Sequence, residues 1–340
     1  MSGLASADFL LESRGLHHQL DGYVVDVVFA GPVAAFALGD GTLHLAHPAR
    51  WTAVEAHKGA ILSVAADGRA HPGVLTAGDD GKLRRVGLDG SVADIASYGS
   101  KWVDHVTAHP GGVMACAVGK TVHVFGPDGT PLKSLTHPSS VTGLVFDAKG
   151  KRIAASHYNG CSLWFVAAKV DTPRVLEWKG SHTGIAIHPA AEAVVSSMQE
   201  NSLHGWRLPE GQHMRMSGYP AKTQSMGFTR SGKWLCTSGA ESVVVWPFFG
   251  GGPMGKSPTE LAGGDATLCT RVAAHPQNEA LAAGFADGLV VLADIATGRI
   301  LPVAGPGRGP ISALAWSADG GQLAIGSETG FAALVDFSKR

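Results

Sequence analysis

Charge is scarce in this chain. Only 16% of its residues are Asp, Glu, Lys or Arg, the two signs nearly cancel to a formal net charge of −1, and the sequence pI is near 7.0. A nucleic-acid partner needs Lys and Arg concentrated on one face, and no such domain is visible, so a nucleic-acid function is not expected. Long apolar runs are missing too. The opening MSGLASADFLLESRGLHHQL has acidic residues where an export signal carries basic ones, and no stretch approaches the roughly 20 apolar residues of a membrane span. The expected location is cytoplasmic, away from membranes. Cysteine is sparse, with four in 340 residues. Cys116, Cys161, Cys236 and Cys269 fall in strand-like segments far apart in the chain, which predicts reduced core thiols and not a disulfide framework.

What the chain has is 45% hydrophobic residues and 46 glycines, arranged in short apolar segments broken by turns. The stretch from Glu55 to Leu88 sets the pattern. Ile61 to Ala66 reads as a strand, Asp67-Gly68 and His71-Pro72-Gly73 break it, and Val74 to Ala77 is a second strand. Asp79-Asp80-Gly81 then turns into a third, from Leu83 to Val86. The turn between second and third strands favours Gly, Asp or Asn for its backbone geometry. It recurs at Gly41, Gly81, Lys120, Gly160, Ser202, Ser242, Gly288 and Gly330, at intervals of 39 to 46 residues. Eight marks at that period predict an all-β chain: an eight-bladed β-propeller of four-stranded antiparallel blades forming one domain over 1–340. The blades are expected at about 23–56, 60–98, 101–137, 139–179, 182–218, 221–265, 267–304 and 308–337. The last repeat has three strands, so a segment at about 9–16 is expected to supply its fourth and close the ring.

The residues of the second repeat, His57, Ile61, Ser63, Val64, Thr76 and Asp80-Gly81, resemble the signature of the WD-repeat (Trp-Asp repeat) propellers, in a degenerate form. That resemblance implies a buried hydrogen-bonded set of His57, Thr76 and Asp80, with Val86 where the family has Trp. It implies a second set of His137, Ser156, Asn159 and Trp164. Elsewhere only fragments remain, such as Trp206, Trp246 and the Ala293-Asp294 pair. The family's usual activity implies a non-enzymatic scaffold that binds one or more proteins.

Residues with chemistry beyond the repeat form three groups. The 46-residue interval contains an insertion, PFFGGGPMGKSP at 247–258, whose Phe248, Phe249, Pro253 and Met254 are candidate partner contacts, because exposed apolar residues on a protruding loop mark interaction sites. The first strands would bring Asp26, Asp104, His105 and Arg271 towards the axis as a candidate small-ligand site. Among 16 histidines, His137, His157 and His182 are candidate ligands for zinc or a similar metal, the basis of an alternative metal-handling function. No catalytic motif is present: there is no phosphate loop, no zinc-protease helix and no nucleophile elbow. No organic cofactor is expected.

Overall fold

The computed structural model describes residues 8–47, 50–208, 210–263 and 266–338. Residues 1–7, 48–49, 209, 264–265 and 339–340, some of which fall inside the expected repeats, lie outside these. Apart from one five-residue helix, Leu10–Arg14, the regular structure is antiparallel strand. No described helix is long and apolar enough to cross a membrane.

The strands form seven hydrogen-bonded sheets among the described residues. The first holds Val24–Ala30, Val33–Leu38, Thr42–His47 and Arg50–Glu55. The second holds Ile61–Ala66, Gly73–Gly78, Lys82–Gly87 and Val92–Ser97, and the third His105–Ala108, Met114–Val118, Thr121–Phe125 and Pro131–Thr136. The fourth has six strands: Gly143–Phe146, Arg152–Phe165, Arg174–Ile187, Ala193–Met198, Ser202–Arg207 and Gln212–Met216. The fifth holds Met226–Phe228, Trp234–Thr237, Ser242–Pro247 and Thr259–Gly263, and the sixth Cys269–Ala274, Ala280–Phe285, Val290–Asp294 and Ile300–Ala304. The seventh joins Ile311–Trp316, Gln322–Ser327 and Phe331–Asp336 to Gly15–Gln19 from the start of the chain.

Two expectations are corrected here. The blades number seven, not eight, because the fourth and fifth expected repeats are not separate sheets. Arg152–Phe165 and Arg174–Ile187 each run 14 residues through the expected breaks, the second pairing with Arg152–Phe165 through its first half and with Ala193–Met198 through its last. The closing strand is also displaced. Phe9 to Leu16 was expected to pair with the last repeat, but Leu10–Arg14 is helical and the pairing strand is Gly15–Gln19, in register from Gly15 opposite Val335 to Gln19 opposite Phe331.

The described chain divides into two compact units. One comprises Met1–Val27, Asn201–Leu203 and Met214–Arg340; the other comprises Val28–Glu200 and His204–His213. Within each, some inner strands are buried along their whole length, as in Val33–Leu38, Gly73–Gly78, Ala193–Met198 and Ala280–Phe285. A strand covered on both faces needs small apolar residues, which is why these read VAAFAL, GVLTAG, AVVSSM and ALAAGF. The core is therefore layered, with clusters such as Leu75, Val103, Met114 and Phe125 filling the space between the second and third sheets.

Hydroxyls stitch the first strands of consecutive sheets. In the Val28–Glu200 unit, Ser63 Oγ accepts the N–H of Val106 at 3.2 Å, and within the fourth sheet Thr142 likewise donates to the carbonyl of His182. In the other, Ser225 Oγ donates to Val272 O at 3.0 Å, Thr270 Oγ1 to Ile311 O at 2.6 Å and Ser312 Oγ to Val24 O at 2.5 Å. Each bond satisfies backbone that no partner strand reaches, so the polar cost of burying these hydroxyls is offset where they join sheets.

The turns that marked the repeat owe their glycines to backbone geometry. Gly81 has φ +76°, and a Cβ there would sit 2.0 Å from Gly99 O; Gly41, at φ +92°, would clash with Gly59 O at 2.3 Å. A side chain fails on both counts.

The helix Leu10–Arg14 is too short to hold itself and depends on burial of Leu11. Leu11 is 1% exposed, in a cluster with Val303, Ala304, Ile311 and Phe331, and Arg308 Nη2 meets Glu12 Oε1 at 2.7 Å. Leu11→Ala is expected to cost about 2–5 kcal/mol in urea unfolding, whereas a change below about 0.5 kcal/mol would mean that the helix does not anchor the closing strand.

Candidate functional site

The polar sets implied by the family signature come first. His57 Nδ1 lies 2.8 Å from Asp80 Oδ1 and its Nε2 2.8 Å from Thr76 Oγ1. The carboxylate can only accept, so Nδ1 carries the proton and Nε2 accepts from the Thr76 hydroxyl. Asp80 also receives the N–H groups of Lys58 and Lys82. Burial alone would raise its pKa, but these bonds and His57 outweigh that and hold it below the usual carboxylate range. In the fourth sheet, Trp164 Nε1 donates to His137 Nε2 at 3.0 Å. Asn159 is not part of that set: it sits in the left-handed region at φ 66° and accepts the N–H of Gly180 at 3.1 Å.

The fifth sheet carries a set that sequence reasoning missed. Trp246 Nε1 donates to the hydroxyl of Tyr219 at 2.7 Å, Tyr219 to Thr237 Oγ1 at 2.6 Å, and Thr237 to Val244 O at 2.9 Å. A phenol replaces the imidazole. Burial drives its pKa up to about 12, which keeps the O–H available as a donor. Trp246 is a fragment of the repeat pattern, but nothing in the signature points to a tyrosine as its partner.

Of the three candidate metal ligands, His137 is bonded through Nε2 alone, to the indole of Trp164, whereas the other two have both ring nitrogens engaged. Both nitrogens of His157 are engaged, with Tyr158 O at 3.0 Å and Ser162 Oγ at 2.9 Å, and both of His182, with Ser196 Oγ at 2.6 Å and Trp178 O at 2.9 Å. No group of three or more possible ligands occurs among the described residues. The His-Pro turns are structural as well. His109, His188 and His275 each accept through Nδ1 the N–H of the residue two further on, at 2.9, 3.2 and 3.0 Å, an imidazole version of the turn that Asp and Asn side chains make.

The insertion splits into two faces. Phe248 and Pro253 are buried and drop out as contacts. Phe248 meets Phe228 edge-on at 4.9 Å. Phe249 and Met254 are 46% and 50% exposed. Neither is loose: Phe249 packs edge-on against Trp234 at 5.2 Å under Lys256, whose Nζ is 4.6 Å from the ring centre, and Met254 Sδ takes the N–H of Arg215 at 3.4 Å. The loop thus covers part of Gln212–Met216, an edge strand, while presenting two apolar side chains.

A cavity of about 250 Å3 opens beside Arg174, Glu177, Trp206 and His213. That volume is below the range of small-molecule pockets and suits a single side chain. Next to it Trp178 stacks on the buried His204 at 3.9 Å, and His204 Nε2 is 2.8 Å from His213 Nδ1. Of the four candidate small-ligand residues, Asp26 and Arg271 fall in one unit, and Asp104 and His105 in the other. Burial lowers the pKa of His105, opposed by neighbouring Asp104, which itself accepts the N–H of Gly119.

Comparison with known proteins now bears on this arrangement. The crystal structure of the computationally designed Ika8 protein superposes with a TM-score of 0.76, covering 94% of this chain and 98% of that one at 16% identity. The fold is a β-propeller. At that identity the likeness speaks for architecture alone, and many other solved chains match as well. No protein-family model matches the sequence, and no curated protein is significantly similar to it.

Removing one member of a set leaves buried donors without acceptors. Asp80→Ala and Tyr219→Phe are each expected to cost roughly 1–3 kcal/mol, read from denaturant midpoints. A pair of near-neutral results would show that the sets do not hold their sheets. Acid has its own signature. Burial, aided by the nearby His157, pushes the pKa of His137 down to about 4. A histidine depressed in the folded state contributes stability that is complete above its unfolded pKa of about 6.5 and is lost as pH falls towards 4, here roughly 3 kcal/mol. His137→Gln is expected to flatten the stability profile between pH 6.5 and 4, and a variant profile parallel to wild type would refute that assignment.

Proposed function

We propose that this propeller is a non-enzymatic, cytoplasmic scaffold of WD-repeat type, binding one or more proteins and neither nucleic acid nor membrane. The observation that carries the reading is the pair Phe249 and Met254. Both are apolar, about half exposed, and fixed in place by Trp234, Lys256 and Arg215. Side chains immobilised before binding lose little entropy on association, and large apolar ones are the usual anchors of interfaces. Trp102 and Tyr158 add to it. Each is 58% exposed, Trp102 on a connection pinned by Val103 N–H to Gly78 O and Tyr158 within Arg152–Phe165, its N–H bonded to Ser139 Oγ.

The WD-repeat assignment is supported by the hydrogen bonds of His57 with Thr76 and Asp80 and of Trp164 with His137. A scaffold needs only presented side chains, which is consistent with the absence of a catalytic motif in the sequence.

The test uses the full chain as bait in native lysate with quantitative mass spectrometry, comparing wild type with Phe249→Ser, Met254→Ser. Each truncation is expected to weaken the interaction by about 2 kcal/mol, so the double variant loses the partner. Its melting temperature should fall by only a few degrees, because the lost stacking is worth about 1 kcal/mol. An unchanged partner set, or a loss seen only in a protein that has unfolded, would end this reading of the loop.

A further inference from the structure

The cavity of about 250 Å3 beside Trp206 lies within one compact unit, and its walls can be sorted by strand geometry. Along the start of Arg174–Ile187 exposure alternates residue by residue: Leu176 is buried, Arg174 and Trp178 are half-buried, and Val175 and Glu177 are exposed. Alternation therefore turns Arg174, Leu176 and Trp178 towards Trp206, and Val175 and Glu177 to the opposite face. Leu176 and Trp178 accordingly pack in one apolar cluster with Trp206. What Glu177 turns inward is its carbonyl, which accepts Trp206 Nε1 at 3.3 Å.

Two further residues shape the wall. Gly211, at φ +79°, closes its turn by donating to Arg207 O at 2.7 Å, and a Cβ there would lie 3.6 Å from Arg174 Nη2. The glycine keeps side-chain bulk away from the guanidinium. His213 Nδ1 is 2.8 Å from His204 Nε2, and His204 is clamped by Trp178 at 3.9 Å, so the ring of His213 is fixed with Nε2 as the nitrogen left to meet a ligand. When His204 donates to Nδ1, that Nε2 carries the proton and is itself a donor.

A guanidinium and an imidazole N–H over an indole floor select an anion, and the paired N–H groups of Arg suit a carboxylate. The acid in the adjoining turn, Glu210, is 3.9 Å from Arg207. Beside the cavity the surface turns apolar. Leu163 pairs with Arg174, so Phe165, two residues further on, shares the face of Arg174; it is 59% exposed, and Val170 on the following connection is 75% exposed. That connection is held by Lys133, which donates to Ala168 O and to Asp171, and by Thr172 N–H to Val170 O at 3.1 Å. A small free acid would leave Phe165 and Val170 in water, whereas a polypeptide covers them.

We propose that this face of the fourth sheet docks an acidic segment of a partner protein. One Asp or Glu side chain enters the cavity, its carboxylate on Arg174 and His213 Nε2, while apolar neighbours in the same segment cover Phe165 and Val170. The proposal rests on the reading of this chain as a protein-binding scaffold and names a second contact that uses neither Phe249 nor Met254.

The test selects phage-displayed random peptides on the full chain and measures the enriched ones by fluorescence anisotropy. They are expected to share one Asp or Glu among apolar residues. Changing that acid to its amide, or Arg174→Gln in the protein, should weaken binding by about tenfold or more, and the two changes together should cost little more than either alone. Should Arg174→Gln fail to fold, Phe165→Ser, at an exposed position, carries the test with a loss of about fivefold or more. No enriched peptide, enriched peptides without a shared acid, wild-type affinity in the folded variants, or free glutamate or inorganic phosphate binding as tightly as the peptides would overturn the proposal. The Phe249→Ser, Met254→Ser protein is expected to keep the acidic peptides. Their loss there, with full binding to Arg174→Gln, would overturn this site and leave the reading of the loop standing.

Discussion

The pairing of Gly15–Gln19 with Phe331–Asp336 is the constraint on which the seventh sheet depends. Without it Phe331–Asp336 is an open edge with a row of unpaired N–H and C=O groups, and an open edge is both a loss of hydrogen bonding and a template for aggregation. The contact joins residues some 310 positions apart, since Gln19 Nε2 also reaches Thr329 O at 2.5 Å. It is therefore costly in loop-closure entropy and is expected to form late in folding. Two local devices hold it in place. Leu11 fills a slot in the apolar layer behind the strand, and Arg308 pairs with Glu12 while lying over the ring of Phe331 at 5.3 Å. The ion pair is partly exposed and worth little by itself; the apolar burial dominates.

The buried polar sets show one structural task solved with different chemistry. In the second sheet an imidazole links a carboxylate to a hydroxyl, in the fourth an imidazole receives an indole, and in the fifth a phenol lies between indole and hydroxyl. What is constant is that indole, hydroxyl and carboxylate find partners beside tightly packed strands, where an unpaired group is expensive; in the fourth sheet His137 Nδ1 is left buried without one. The titration behaviour differs accordingly. Depressed histidines such as His137, His182 and His275 destabilise the fold as pH drops below about 6.5, while Asp26, raised to about 6, works in the opposite sense over part of the same range. In the histidines the leading cause is burial, so the acid response reports packing.

Strands and turns were legible in the sequence because both are set by local rules: alternating or continuous apolar segments, and glycines that the backbone geometry requires. The number of sheets was not legible. Turn marks at Gly160 and Ser202 say where the chain bends, but not that Arg174–Ile187 is one strand belonging to two pairings. The closing strand was placed too early because Phe9 to Leu16 is the more apolar segment, while Gly15–Gln19 is mostly exposed and is defined by its partner. Within the candidate sites, His57, Thr76 and Asp80 could be read from spacing, whereas Tyr219 could not, since it does the work of a histidine from a position with no signature. Phe248 and Phe249 are indistinguishable as letters. Only packing against Phe228 separates the buried ring from the presented one.

Rigidity of the sheets underlies the binding proposals, because presented side chains are useful anchors only on a backbone that does not open. Native-state hydrogen exchange of the backbone amides of Gly15–Gln19 and Phe331–Asp336 tests this most directly. If the chain ends are a cooperative part of the structure, these amides exchange only through global unfolding, with the same free energy as those of Gly73–Gly78. Exchange of both strands through a separate opening of much lower free energy would show that the closure is an ornament of the fold and contradict the account.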